Sequence, residues 1–433
     1  MTEPQARRHP VLTSRTALIA SLGLAVLAFG WLLYSSLLGP APTDRFGDFR
    51  IVYAGGKAWL EGTSPYDIRV FIDSFLRHIA TLPDEIRPAA SFKLDTFEDL
   101  WGAYFYPFPP SSAILAVPLA AVDWTTAVHL NAVLGYAATI ALVVVTGRLF
   151  ALSPPETALL AAATFLSGSV SAAVYGGQPS IYTALGAVLA IRAVQTNTAW
   201  IFGVGCALAL FKPTLTPLIL AYAWFATDRK RDFAIAAILI AGGISVLPLI
   251  LTWDISFVPN FIETASHHSS VAYNRYVNHQ GLIAGLSSLM PQSAAAVICG
   301  VLGLIGVYGI ARARVSLPVG TVVAVLLTMV LMPVKYGYDL ALAVPILAFA
   351  LAHGFDTLEG LRADGFSRSS LARLVSLGLL GVVCVIALRS NNFFAVTGPL
   401  LGITAKVLAA VLVTLAIAAV LHLASQRMAT KSG

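Results

Sequence analysis

Among the stretches of this chain that contain no aspartate, glutamate, lysine or arginine are seven whose lengths decide the fold class. They run from Thr16 to Thr43, Trp124 to Gly147, Thr157 to Ile191, Ala193 to Phe211, Phe233 to Trp253, Tyr276 to Ala311 and Val315 to Val334. A hydrocarbon core about 30 Å thick is crossed by a helix of roughly 20 apolar residues, so each run can cross once and two of them can cross twice. Composition agrees: 58% of the residues are hydrophobic and 11% charged, less than half the roughly 25% charge of a soluble domain. The expectation is an all-α, multi-pass integral membrane protein. Disordered, fibrous and disulfide-scaffold classes are excluded. Cys206, Cys299 and Cys384 all sit in apolar stretches, where packing is their role.

Loop charge orients the chain. Arg7, Arg8 and Arg15 precede an apolar stretch from Ala17 to Gly39 that is too long for a signal-peptide core, so it reads as a retained first helix. About twelve spans are expected, at about 17–39, 125–147, 157–175, 179–195, 199–211, 213–227, 233–252, within 282–311, and at 317–332, 339–353, 374–389 and 398–424. With both termini inside, the inner segments carry fifteen Lys and Arg, while the outer ones beyond the first long loop carry five, which obeys the positive-inside rule. The net charge of +6 therefore reflects membrane topology, not nucleic-acid binding. Leu100 to Val122 is also uncharged, but Pro107, Pro109, Pro110 and Pro118 leave only a short helical piece of about 112–122. It reads as a helix at the outer membrane surface, or partly re-entrant.

The chain is thus expected to form one membrane-embedded domain over residues 1–433, with an outer loop at 40–124 and a second at 253–281. In the first loop, Phe49, Val52, Tyr53, Gly56, Trp59 and Leu60 recur at helical spacing before a stop at Gly62. Ile68, Phe71, Ile72, Phe75, Leu76 and Ile79 repeat the pattern after Asp67, which the preceding Ser64-Pro65-Tyr66 turn marks as a cap. Such amphipathic helices lie against the bilayer or the tops of the spans. Acids, histidines and aromatics gathered above apolar spans suit chemistry on a lipid-linked substrate. The phosphate-binding and hydrolytic motifs of soluble enzymes are missing from the sequence, as is D-x-D.

Five short motifs carry a resemblance. They are Gly47-Asp48-Phe49-Arg50-Ile51-Val52-Tyr53, then Gly62-Thr63-Ser64-Pro65-Tyr66-Asp67, Tyr106-Pro107-Phe108-Pro109-Pro110, Gly176-Gly177-Gln178-Pro179-Ser180 and Ala209-Leu210-Phe211-Lys212-Pro213. In this order the chain, from about 17 to 350, resembles glycosyltransferase family 87 of the glycosyltransferase-C architecture. The resemblance implies a mannosyltransferase that uses a polyprenyl-phosphate-mannose donor. It also implies a catalytic aspartate at Asp48. Polyprenyl phosphate is already a good leaving group, so the reaction asks for a base at the acceptor hydroxyl and cations at the departing phosphate.

Each candidate residue has a structural alternative. Asp48 directly precedes an amphipathic helix and would also serve as its N-cap. Lys212 and Lys335 are candidate phosphate binders; Lys212 would otherwise be a snorkelling anchor, and Lys335 would otherwise pair with Asp339 to hold a loop. Asn278-His279-Gln280 resembles a polar family segment, placing His279 near the donor phosphate or sugar. Gln178 is a sugar contact or a cap of the next helix. Arg50 and Tyr53 share the Asp48 segment and are further substrate-binding candidates, with Tyr53 able to stack on sugar or isoprenoid. Asp84-Glu85 and Glu98-Asp99 read as solvated loop charges. His267, His268 and His279 fit no zinc spacing, so no metal and no cofactor is expected beyond the lipid-linked donor itself.

The resulting expectation is a hexosyltransferase in the bacterial plasma membrane, acting outward on a glycolipid or envelope glycan, with membrane lipids around it. Two rivals stand beside it: a transporter or flippase for lipid-linked sugars, and a non-catalytic binder of them.

Overall fold

A computed structural model describes residues 15–38, 47–78, 106–270, 282–287, 289–332, 337–364, 368–389 and 415–420. Those residues are helical or connecting, with no strand among them. The first described element is α1 (Arg15–Leu33), which runs on into a π-helical turn, Tyr34–Leu38. The first loop supplies α2 (Gly47–Leu60), α3 (Ile68–His78) and, after a 3₁₀ turn at Pro110–Ser112, α4 (Ala113–Ala120). Next come α5 (Trp124–Leu149), α6 (Pro154–Phe165), α7 (Gly168–Gly176), α8 (Ser180–Thr196), α9 (Ala199–Ala209) and α10 (Pro217–Ala226). Then α11 (Lys230–Thr252) contains a π-helical stretch at Ile238–Gly242, and α12 (Phe257–Ser270) and α13 (Leu282–Leu286) follow. Further on come α14 (Gln292–Arg312), α15 (Leu317–Leu331), a 3₁₀ segment Gly337–Ala343, α16 (Val344–Asp364) and α17 (Arg368–Arg389), and residues 415–420 are also helical.

Local chemistry sets many of these boundaries. Asp123 caps α5 by accepting from Thr126 N at 3.1 Å. At the start of α6 the Glu156 carboxylate accepts from Ser153 N at 2.7 Å, half of a capping box, and Pro154 occupies the first turn where no N–H is required. Ser167 then restarts the helix as α7, and the pair α6–α7 bends by 60° at that break.

Among the described residues, four helices are long and apolar enough to cross a membrane: Arg15–Ser36, Trp124–Leu149, Lys230–Thr252 and Gln292–Arg312. The bent α6–α7 pair makes a fifth if it is one span. The other expected spans differ in length from their charge-free runs, because helix ends are set by caps and prolines rather than by the last apolar residue. Thus α9 ends at Ala209 and α10 starts only at Pro217, where the sequence suggested 199–211 and 213–227. The expected span at 398–424 lies mostly outside the described residues.

The interior is organised around α8, which is buried on nearly all sides. It crosses α9 at a glycine contact. A Cβ on Gly186 would sit 2.5 Å from Ala209 N, and one on Gly205 would sit 2.7 Å from Ala190 N. Small residues at such crossings let two backbones approach closely, which is how helices associate where lipid offers no hydrophobic drive. Around this core, α1 and α14 expose rows of large apolar side chains, including Val26, Leu27, Val297 and Ile305. In water that surface would be an aggregation hazard; in lipid it is the expected outer face.

The first loop has a core of its own. Phe49, Tyr53, Trp59, Tyr66, Phe71, Phe75, Tyr106 and Trp124 are buried together. The expected α2 pattern therefore packs on α4 and the start of α5, with α3 laid against α2, forming a small aromatic-centred unit. A Cβ on Gly56 would lie 2.4 Å from Ala116 O, so that glycine, read in sequence as part of an apolar stripe, is the close-approach point between α2 and α4. The short helix expected at about 112–122 is observed as α4. Asp67 caps α3 as its turn suggested, accepting from Arg69 N at 2.9 Å, and Gly62 ends α2 with φ +72°.

Candidate active site

Five sequence motifs converge through side-chain contacts at one end of the bundle. The first is the start of α2. The helix begins at Gly47, so Asp48 lies inside its first turn rather than at the N-cap, where free amide groups favour a carboxylate. Asp48 is half-buried, and its Oδ2 accepts a hydrogen bond from Gln178 Nε2.

Gln178 reaches it because of how α7 ends. Gln178 N donates to Ala173 O at 2.8 Å and Gly177 N to Val174 O at 3.2 Å, with Gly177 left-handed at φ +68°. This is a Schellman-type stop, which glycine adopts without steric cost. The same glycine lies against α2, since a Cβ there would be 2.4 Å from Phe49 Cβ and 3.1 Å from Asn131 Nδ2. Gln178 itself is 5% exposed, and α8 starts at Ser180 with no side-chain cap. Of its two expected roles, helix capping is therefore not observed; its amide is turned to Asp48.

Two residues further on, Ser180 joins a second group. Its Oγ donates to Asp339 Oδ1 at 2.8 Å. Lys212 Nζ, from the loop after α9, lies 2.5 Å from the same oxygen and 3.4 Å from Ser180 Oγ. The Asp339 side chain is 0% exposed and that of Lys212 17%. A buried ion pair is tolerated when its remaining donors and acceptors are satisfied, and the serine hydroxyl helps to satisfy this one. The Pro-rich motif is tied in as well: Ser111 Oγ donates to Leu210 O at 3.3 Å, and Tyr66 Oη donates to Phe108 O at 2.8 Å.

The other expected site residues fall as follows. Arg50 is buried on α2. Tyr53 is buried too. Its hydroxyl donates to Val122 O at 2.8 Å, its ring meets Trp124 edge-on at 5.3 Å, and Lys57 Nζ lies 5.3 Å from the ring centroid. Burial, helped by the nearby Asp123 carboxylate, pushes the Tyr53 phenol above its ordinary pKa. Little of this ring is left open for a sugar. Lys335 and His279 lie outside the described residues, as do Asp84-Glu85 and Glu98-Asp99.

Sequence reasoning missed Ser180 as a site residue and named Asp339 only as a partner for Lys335. The signal for Ser180 was its place in the Gly-Gly-Gln-Pro-Ser motif. For Asp339 it was a lone acid beside an apolar run, opposite a lone lysine beside another. Chemically, the assembled end of the bundle offers one partly exposed carboxylate held by the amide of Gln178, which lies two residues from the serine of a lysine–aspartate–serine group. That inventory suits proton removal from a hydroxyl next to an anion.

Residues 105–336 match the family model of glycosyltransferase family 87, just over half of the 433 residues. Gln178, Ser180 and Lys212 lie inside that match; Asp48 and Asp339 lie outside it. No curated protein and no solved structure matches the chain.

Proposed function

The chain belongs to glycosyltransferase family 87 and is a membrane glycosyltransferase, and from that premise we propose that it moves a hexose, mannose by family likeness, from a polyprenyl-phosphate donor. The acceptor is a glycolipid or cell-envelope glycan at the outer face of the bacterial plasma membrane. About twelve spans, with both termini cytoplasmic, complete this reading.

The observation that carries it is the Asp48 carboxylate, half-buried and hydrogen-bonded by Gln178, a residue of the family-matched region. In the proposed step the acceptor hydroxyl gives its proton to Asp48 as its oxygen bonds to the anomeric carbon. The bond from that carbon to the phosphate oxygen breaks on the opposite face, and polyprenyl phosphate leaves with the electron pair. The result is a single displacement with inversion. Lys212, Lys335 and His279 are the proposed groups around the phosphate, with Lys212 sharing its charge between Asp339 and the substrate. Arg50 belongs to the proposed substrate-binding set, and Tyr53 supports the helix that carries Asp48.

The test is transfer by full-length protein in lipid nanodiscs, with radiolabelled polyprenyl-phosphate-mannose as donor and host lipid extract as acceptor. Wild type is expected to form labelled product, and Asp48→Asn to lose about 10²–10⁴-fold of the rate, the usual share of general-base catalysis. Normal transfer by Asp48→Asn removes the base assignment. Movement of label across the membrane without turnover favours the transporter.

A further inference from the structure

We infer that Gln178 is a positioning residue for Asp48: it fixes the direction in which the carboxylate faces the acceptor hydroxyl, and it is not itself a sugar ligand. The inference rests on Asp48 being the base.

A carboxylate on a flexible side chain is a poor general base unless its orientation is set, because displacements of about 1 Å cost on the order of 10²-fold in rate. An ionised carboxylate only accepts hydrogen bonds, while the glutamine amide has two N–H donors on one end. The amide nitrogen therefore faces Oδ2, as observed. A carboxylate has roughly four acceptor positions, so one amide orients the group without exhausting it.

What makes Gln178 a support is that it cannot move independently of α2. Its main chain is locked by the 2.8 Å bond to Ala173 O, and the residue as a whole is 5% exposed. The preceding Gly177 is in contact with Phe49, the residue next to Asp48. One residue beyond Pro179, Ser180 is anchored to Asp339 at 2.8 Å. The segment is a short rigid bridge with Asp48 at one end and the lysine–aspartate pair at the other. A residue so enclosed is suited to holding another side chain, and the exposed side of the contact belongs to Asp48.

Two measurements test this on the full-length protein in nanodiscs. The first needs no substrate: thermal unfolding of wild type, Asp48→Asn, Gln178→Met and the double variant. If the two groups act on each other, the double variant falls no further in Tm than the worse single one; strictly additive losses overturn the contact. The second is kinetic, with polyprenyl-phosphate-mannose as donor. Gln178→Met is expected to lose about 10²-fold in kcat while donor KM and saturable donor binding stay within about twofold of wild type, the pattern of an interaction that acts only at the reacting step. Gln178→Glu, of the same size, is expected to lose rate likewise, because it sets a second carboxyl beside the first.

Unchanged kcat in both variants overturns the inference, as does a rise in KM with kcat intact, which is the mark of a sugar contact. Loss of donor binding in both variants also overturns it. Full activity in Asp48→Asn strikes the base assignment instead. If wild type turns over none of this donor, the unfolding cycle alone decides whether Gln178 holds Asp48.

Discussion

Lys212 Nζ and Asp339 Oδ1 meet at 2.5 Å although 127 residues separate them. The pair joins the loop after α9 to the 3₁₀ segment before α16, and Ser180 Oγ at the start of α8 contacts both. One ion pair therefore fixes three helix ends relative to one another.

Removing one partner should be worse than removing both. Lys212→Met takes one cation from a fully buried carboxylate, and breaking a buried pair in this way costs about 3–5 kcal/mol. A double Lys212→Met, Asp339→Leu variant should recover most of the lost Tm, because an apolar pair replaces two desolvated charges. Thermal unfolding in detergent or nanodiscs reads the difference. A double variant no better than Lys212→Met would show that the loops need the charges themselves.

Gly177→Ala should disturb the Asp48 end of the site. The left-handed backbone at φ +68° costs a residue with a Cβ about 1–2 kcal/mol. The new Cβ would also sit 2.4 Å from Phe49 Cβ. Gly177→Asn separates the two effects, because asparagine visits the left-handed region more readily yet keeps the clash. Equal loss of transfer rate in both variants identifies the contact with α2 as the cause; recovery in Gly177→Asn identifies the backbone.

Gly56→Ala should loosen α2 from α4. The added methyl would meet Ala116 O at 2.4 Å and Ala120 Cβ at 2.7 Å, and forced overpacking of this kind costs about 1–3 kcal/mol. Limited proteolysis should cut the first loop faster in the variant than in wild type. Gly62→Ala is the comparison: its Cβ would meet nothing within 4 Å, although its φ of +72° leaves a backbone cost.

The end of α2 should respond to acid through Glu61. Burial raises the affinity of this carboxyl for its proton, but hydrogen bonds and charge from Arg77 and His78 outweigh that and hold it below the ordinary carboxylate range. A depressed folded value means that the contribution is full above the unfolded value of about 4.3 and is lost as pH falls through the lower folded value. The bonds in question, Arg77 Nη2 to Glu61 Oε2 at 2.8 Å and His78 Nε2 to Oε1 at 2.9 Å, join the ends of α2 and α3. Glu61→Gln should therefore lower Tm at neutral pH by a small amount and converge with wild type in acid. Parallel curves across that range would exclude the assignment.

How much of this was legible in the sequence depends on the range of the interaction. The apolar rows of α2 and α3, the stop at Gly62 and the cap at Asp67 were all readable, because each is decided within a few residues. The membrane class was readable from charge-free runs. Helix ends inside those runs were not: α9 stops at Ala209, two residues before the run does, and nothing in hydropathy marks that point. The π turns at Tyr34–Leu38 and Ile238–Gly242 leave no periodic signal either. At the site, Asp48, Gln178 and Lys212 were nameable singly, while their pairings were not. The pairings Asp48–Gln178 and Ser180–Asp339 cross 130 and 159 residues, so only the packing of α2, α7 and α8 brings them together.

The sequence separation of these pairs also has a consequence for biosynthesis. Asp48 leaves the ribosome 130 residues before Gln178, and Lys212 leaves it 127 residues before Asp339. At roughly 5–20 residues per second, each waits about 6–26 s for its partner. During the second interval α10 to α15 are threaded past a lysine that has yet to meet the Asp339 carboxylate. The site is thus completed late in translation, and a nascent chain stalled before residue 339 cannot close this ion pair.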